Sequence, residues 1–334
     1  MTPTVSVLLP ARNAAGTLGL ALASLRHQTF REMEILVVDD ASTDGTREVA
    51  AAAARVDSRV RVLEGTGRGI VPALELARGH ASGIFLARMD ADDLALPSRI
   101  ADQLAVLSDH PQAGVCGTGV RYVPEARVAG GALRYQRWLN ALTTPEALHR
   151  DRFVECPLAH PTWLMRAEAA ERAGGYRDPG WPEDYDLLLR MTEGGWELAT
   201  VPGVRLLWRE SGERLSRRHP RYAPDAFLRC RVHYLRRAYP DRSAVVVWGA
   251  GPTGKAFSRA WRAEGGGVLA FVELDPRKLG QEIHGAPVVA PEELAAFRGA
   301  LGAAAVGRAG ARAEVREGFR SRGWREGRDF ITVA

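Results

Sequence analysis

Cysteine is nearly absent from this chain of 334 residues: Cys116, Cys156 and Cys230 are odd in number and far apart. That argues against a disulfide framework and against a paired-cysteine zinc site, and it fits a reducing compartment. Lysine is scarcer still, with Lys255 and Lys278 alone among 45 basic side chains. The net charge of +5 and the pI near 9.4 are therefore carried by arginine. Together with abundant alanine and glycine, this reads as a GC-rich coding bias and not as a nucleic-acid footprint. RNA-binding aromatic motifs and zinc-finger spacings are also missing, so no nucleic-acid partner is expected. A basic surface still favours phosphorylated substrates or anionic membrane surfaces. No run approaches the ~20 apolar residues that span a bilayer. Met1 leads almost directly into the apolar "VSVLLP", without a basic segment, long apolar core or cleavage site. The expected location is cytoplasmic, with peripheral contact at the inner face of the membrane left open.

What is present is ordinary for a globular protein: 46% hydrophobic residues and enough length for about two domains. The first part alternates strand and helix: "VSVLLP" then "GTLGLALASLRHQ", "EILVVDD" then "GTREVAAAAARV", "RVRVLE" then "IVPALELARGHA", then "GIFLARMD". Such alternation implies βαβ units and a largely parallel sheet. Residues 114–181 read as less regular, rich in Arg, Pro and Trp. A helix "EDYDLLLRMTEGG" and a strand "VRLLW" follow. "DAFLRCRVHYLRRAYPDRS" reads as a basic amphipathic helix ending before Pro240, and "AVVVWGAGPTGKAF" opens a new βαβ unit. The expected division is residues 1–225, a basic helical linker over 226–242, and a small domain over 243–334.

The stretch "FLARMDADDLALPSR" places three carboxylates behind a buried strand in which Ile84, Phe85, Leu86 and Met89 form the interior. They sit at the strand's carboxyl edge, where open α/β sheets bind ligands. In an extended backbone Asp90 and Asp92 point to the same side. Like charges held so close call for a cation or a set of donors, and hard oxygen ligands suit Mg²⁺ or Mn²⁺ when a phosphate completes the coordination. Asp93 fits a helix cap instead. Arg68, in the glycine-rich "GTGRGI", could reach the same phosphates with its planar fork, or could simply be solvated.

Taken in order, "VSVLLPARNAAGTLGLALASLRHQTFREMEILVVDDASTDGT", "ARMDADD" and "HPTWLMR…GGYRDPGWPEDYDLLLRM" resemble the glycosyltransferase family 2 pattern over about two-thirds of the chain. The resemblance implies a GT-A-type mixed, mainly parallel sheet flanked by helices. It implies a metal-dependent, inverting transfer from a nucleotide-sugar donor, most readily a UDP-sugar, to a saccharide or lipid-linked acceptor. Pro10 and Arg12 match its first nucleotide-contacting loop. Asp40 matches the carboxylate that accepts from uracil N–H or ribose hydroxyls, an acceptor role that geometry makes selective. Asp39 and Asp44 compete as turn residues. Asp90 matches the ribose-side acid and Asp92 the metal ligand. Asp184 matches the base that takes the acceptor's proton, with Glu183 beside it in a first helical turn whose dipole favours acids. On a helix Asp184 and Asp186 lie about 200° apart. The Leu188 and Met191 face should then bury with Asp184 and leave Asp186 nearer solvent. His160 matches a His-Pro position on the acceptor side, or a satisfied structural histidine. One departure is Ser211, where relatives tend to carry histidine; it leaves Arg209 and Arg214 to contact the diphosphate.

The "GAGPTGKAF" loop fits both a dinucleotide fingerprint, through Gly249, Gly251 and Gly254, and the first part of a Walker loop. Ala256 stands where the Walker loop needs a hydroxyl. Glu273 and Asp275 offer the acid expected at the end of the next strand. A small Rossmann-like α/β domain binding a dinucleotide or nucleotide is the expectation. A regulatory or homodimerising module and an oxidoreductase remain open. For the whole chain the alternatives are a nucleotidyltransferase, disfavoured because "LLPARNAAGT" lacks a lysine, and a non-catalytic sugar-nucleotide or dinucleotide sensor.

Overall fold

A computed structural model describes residues 3–212, 214–308 and 310–334. The chain divides into two compact units. The first takes Met1–His149, Pro157–Pro179 and Glu183–His219; the second takes Arg150–Cys156, Gly180–Pro182 and Pro220–Ala334.

In the first unit, strands β1 (Val5–Ala11), β2 (Met33–Asp39), β3 (Val60–Glu64) and β4 (Phe85–Arg88) alternate with helices. β5 (Leu94–Ala95), β6 (Ala113–Val123), β7 (Leu164–Arg166) and β8 (Glu197–Arg209) complete one sheet, ordered β3-β2-β1-β4-β7-β6-β8-β5. It is mixed and mainly parallel: β3, β2, β1 and β4 run together, and β6 is parallel to β8. β7 opposes both its neighbours, and β5 opposes β8. All seven residues of β2 are buried. A strand covered on both faces reads as a continuous apolar run, which is why "EILVVD" declares itself in sequence. Val7 and Leu9 of β1, Ile35 and Val37 of β2, and Ala87 and Met89 at β4 share one core. Ile84 does not belong to it: the strand begins at Phe85, and Ile84 is 67% exposed.

The stretch expected to be less regular holds the long strand β6 and a helix over Gly130–Ala141. β6 is glycine-rich for tertiary reasons. A Cβ at Gly114 would lie 2.8 Å from the Trp196 side chain, one at Gly117 2.6 Å from Leu158, and one at Gly119 2.7 Å from the carbonyl of Gly203.

The second unit contains the basic helix Pro224–Ala238 and a six-stranded sheet, β9 (Ala244–Trp248), β10 (Gly267–Val272), β11 (Glu282–Ile283), β12 (Ala286–Val289), β13 (Leu301–Ala304) and β14 (Phe330–Thr332), ordered β11-β12-β10-β9-β13-β14. All pairings are parallel except that of the edge strand β11. The order reverses at β9, the kind of switch point at which open α/β sheets form a crevice outside the carboxyl ends of their strands. Phe319, Trp248, Trp324 and Phe330 pack together in the core.

Candidate active site

β4 delivers the acids. Met89 is buried, with its N–H bonded to the carbonyl of Leu8 at 3.2 Å, and this fixes the chain as it leaves the sheet. The ligand oxygens of Asp90, Asp92 and Asp93 all lie within 4.8 Å of one another. Burial, and then repulsion from Asp90, raise Asp92 to about 6. Asp93 is pushed well above the ordinary carboxylate range by burial and by both neighbouring acids. Asp93 does not cap a helix, since the next one starts only at Arg99 behind Ser98. Its Oδ1 instead accepts the backbone N–H of Arg209 at 2.8 Å, tying the acid loop to the end of β8. Its Oδ2 is buried with no partner among the described residues.

The arginine that ends β8 and the one in the loop beyond make different contacts. Arg209 donates from Nε to the backbone carbonyl of Asp92 at 2.9 Å, so it braces the loop. Arg214 lies over the Trp208 ring at 4.4 Å, and Trp208 stacks on Tyr122 at 4.9 Å. Burial lowers the Arg214 pKa, but attraction to Tyr122, Asp90, Asp93 and Glu210 outweighs it and the net shift is upward. Arg214 is therefore a firmly charged cation beside the acids. Trp208 announced that platform in the sequence as an aromatic six residues before a basic one. Arg88 gave a clearer signal, a charge inside an otherwise apolar strand that must be paired. Its side chain is 3% exposed and bonds Asp90 Oδ1 at 2.6 Å.

At the neighbouring strand ends, Pro10 and Arg12 lie at the end of β1 and Asp40 follows β2. Asp40 is buried and accepts the N–H groups of Gly67 at 2.8 Å and Gly69 at 2.9 Å. It thus holds the loop that carries the exposed Arg68. Arg12 reaches the carbonyl of Gly67 at 3.0 Å and stands 3.7 Å from Asp40. Asp39 and Asp44 act in the turn, accepting from Ser42 and from Ala15 and Thr46 respectively.

A further acidic segment opens the helix Glu183–Glu193. Asp184, 19% exposed, has Oδ2 3.9 Å from His160 Nδ1, beyond hydrogen-bond range. His160 is buried, with Nε2 2.9 Å from the Tyr176 hydroxyl. Burial, and the nearby charge of Arg88, push its pKa well below the usual value, so it is neutral. Glu183 is buried. Asp186 corrects the helical-face expectation: it is 2% exposed, paired with Arg190 at 2.6 Å, while Asp184 is the more open of the two. The helix is covered nearly all round, and Arg190 also donates to the carbonyls of Ala173 and Gly175. A buried charge with that many partners needs no solvent face.

The model of the family described as "Glycosyl transferase family 2" matches residues 6–174. The chain belongs to that family. It is therefore a glycosyltransferase. EpsE of Bacillus subtilis (strain 168), also named as a glycosyltransferase, is 32% identical over 228 residues, covering 67% of this chain and 79% of the relative. Among solved structures, S. aureus TarS 1-349 in complex with UDP-GlcNAc superposes with a TM-score of 0.53 at 17% identity, over 77% of this chain and 71% of that one. The mannosyltransferase PcManGT from Pyrobaculum calidifontis, in complex with GDP-Man and Mn²⁺, gives 0.51 at 24% identity, over 79% and 69%. These two likenesses establish the shared fold. Among the described residues no helix is long and apolar enough to cross a membrane.

In the second unit, Gly249 has φ +122° and a Cβ there would lie 2.8 Å from the carbonyl of Ala305; one at Gly254 would lie 1.8 Å from the carbonyl of Gly249. Both glycines are required by packing. Gly251 is different: nothing lies within 4 Å of where its Cβ would be, at the start of the helix Pro252–Ala263. Glu273 is held by Lys278 at 2.8 Å and by the N–H of Leu274 at 2.9 Å.

Proposed function

We propose that this glycosyltransferase moves a sugar from a nucleotide-sugar donor, preferentially a UDP-sugar, to a hydroxyl of a saccharide or lipid-linked acceptor, in cell-surface polysaccharide or glycoconjugate synthesis and with inversion at the anomeric carbon. The observation that carries the reading is the convergence of Asp90, Asp92 and Asp93 within 4.8 Å at the carboxyl end of β4. The set fits a divalent cation: it is all carboxylate oxygen, the choice of Mg²⁺ or Mn²⁺, and burial, then repulsion from Asp90, raise the pKa of Asp92. Asp90 and Asp92 would hold the ion, which when bound supplies charge neutralisation on the departing diphosphate.

The chain's own groups do the rest. Arg214, pinned on Trp208, places a fixed cation for the diphosphate. Pro10, Arg12 and Asp40 receive the nucleotide, and Arg68 rides on the loop that Asp40 holds. Asp184 accepts the acceptor's proton at Oδ2, because a neutral hydroxyl is a poor nucleophile until that proton is taken. His160, neutral and bonded to Tyr176, shapes the acceptor side without drawing Asp184 into an ion pair. Relatives in fold bound to UDP-GlcNAc, and to GDP-Man with Mn²⁺, support the donor class. The test is a thermal-shift panel of nucleotide sugars with and without Mn²⁺, since a ligand of the native state raises its melting temperature by mass action. The expected result is a shift with UDP-sugars that needs the metal. NMR of the product then reads the anomeric configuration, and retention would overturn the single displacement.

A second reading concerns the second unit. Gly251 has no neighbour that forbids a side chain, so its lack of one supports close approach by a ligand, as the middle glycine of a Rossmann-like fingerprint would allow for a pyrophosphate. The proposed ligand is a nucleotide or dinucleotide at the crevice outside β9, with Glu273 facing the ribose once freed from Lys278.

A further inference from the structure

Arg88 is expensive to keep. Its guanidinium is 3% exposed, yet only Nη2 is satisfied, by Asp90 Oδ1 at 2.6 Å; Nε and Nη1 are buried with no hydrogen-bond partner among the described residues. A buried ion pair is often no better for stability than an apolar residue of the same size, so packing alone does not account for an arginine here. Its surroundings show what the charge faces. Asp90 touches it, and Asp93, Tyr176 and His160 lie within electrostatic reach. Arg99, buried beneath the loop, donates to the carbonyl of Arg88 at 2.7 Å, and burial lowers its own pKa to about 9. Arg214 acts on the same acids from the other side. Of these three arginines, Arg88 alone forms an ion pair with an acid proposed to hold the metal.

We infer that Arg88 is a built-in counter-cation which makes divalent-cation binding at Asp90 and Asp92 conditional on the nucleotide diphosphate. The inference rests on the metal-dependent reading above. A cation arriving alone must share Asp90 with a guanidinium that is enclosed by protein and cannot swing into solvent. Positive charge then meets positive charge across one carboxylate, and affinity is low. A nucleoside diphosphate brings compensating negative charge, so cation and nucleotide bind together. By linkage each must strengthen the other by the same factor.

The experiment uses the full chain, Mn²⁺ as the probe and the EPR signal of free Mn²⁺ as the readout, with UDP and, in parallel, GDP. The wild-type chain is expected to bind Mn²⁺ alone weakly and, with the matching nucleotide, at least ~10-fold more tightly, within the usual range of coupling. Arg88→Met should bind Mn²⁺ alone more tightly by a similar factor, so that the nucleotide adds little. Arg88→Lys keeps the charge and should keep the wild-type pattern, which a purely packing role would not predict. Wild-type chain that binds Mn²⁺ equally well with and without nucleotide overturns the inference whatever the variants do, including variants that fail to fold. Strong nucleotide coupling left intact in a folded Arg88→Met overturns the role of Arg88 while sparing the metal-dependent reading. Absence of Mn²⁺ binding with either nucleotide overturns both.

Discussion

Asp92 keeps its proton up to about pH 6 because burial and the charge of Asp90 both oppose ionisation. The folded chain therefore holds this proton more tightly than the unfolded chain, whose value is the ordinary 3.8. The contribution of Asp92 to stability falls as pH rises through that window and stays reduced above it. Asp92→Asn removes the effect. Without added cation, the melting temperature of the variant relative to wild type should climb from pH 4 to pH 6 and then level off; a flat difference would refute the assignment. The same variant should lose Mn²⁺-dependent UDP binding, and in the wild-type chain that binding should strengthen as pH passes 6, since a ligand carboxylate must be deprotonated. Asp184 behaves otherwise. Asp184→Asn should leave the affinity for donor intact in calorimetry and lower turnover by about 10²–10⁴-fold, the usual worth of a general base. An undiminished rate would move the role to Glu183. The placing of Asp90 and Asp92 at a strand end was legible in the sequence because acids behind an apolar run stand out from their neighbours, whereas Asp184 was marked only by the family resemblance and its role stays a proposal. Arg88 was missed although a lone charge among apolar letters is itself the signal of a buried, paired group.

Elements were legible where local pattern and tertiary environment agree. β1 and β2 announce themselves as apolar runs because both of their faces are covered. β6 does not, since its glycines answer to Trp196, Leu158 and Gly203, partners that no local window contains. The helix Glu183–Glu193 was recognised as a helix, but its orientation was misjudged: a face rule needs a wet side, and residues 185–191 are all buried. The Asp186–Arg190 pair inside it gives a stability prediction. Removing one partner of a buried pair strands the other charge, so Asp186→Asn should cost about 3–5 kcal/mol in urea unfolding. A midpoint matching wild type would show that water reaches Arg190. The end of β8 and the loop after it followed a similar course. Arg209 and Arg214 were both marked as diphosphate contacts, and only the packing of Trp208 on Tyr122 separates the brace from the cation that faces the acids.

Across the whole chain, the two units carry loops of opposite chemistry, one rich in carboxylates and one at a helix start, where the anion binding proposed for it would need no metal. EDTA should accordingly abolish UDP binding at the acid loop and spare nucleotide binding at Gly251. Gly251→Val should remove the EDTA-resistant component in calorimetry of the full chain. If no such component exists, the Gly251 loop is a structural turn. The first unit's alternation of strand and helix foretold its sheet, whereas the joining of parts distant in sequence could not be read from any motif. The N–H of Arg209 and the carboxylate of Asp93, 116 residues apart, meet because β5 pairs antiparallel with β8, Leu94 opposite Leu207, while β6 pairs with β8 to its end, with Tyr122 opposite Trp208 and Val123 opposite Arg209. A one-residue insertion or deletion within Leu206–Arg209 would turn every following side chain to the other face, taking the Trp208 ring off Tyr122 and the Arg209 N–H off Asp93 in a single step. Exchanging donor preference by grafting segments from other transferases should therefore cut no earlier than Glu210, whose N–H still bonds the carbonyl of Val123 at 2.8 Å, and should keep the spacing from Trp208 to Arg214, whose guanidinium lies over the Trp208 ring at 4.4 Å.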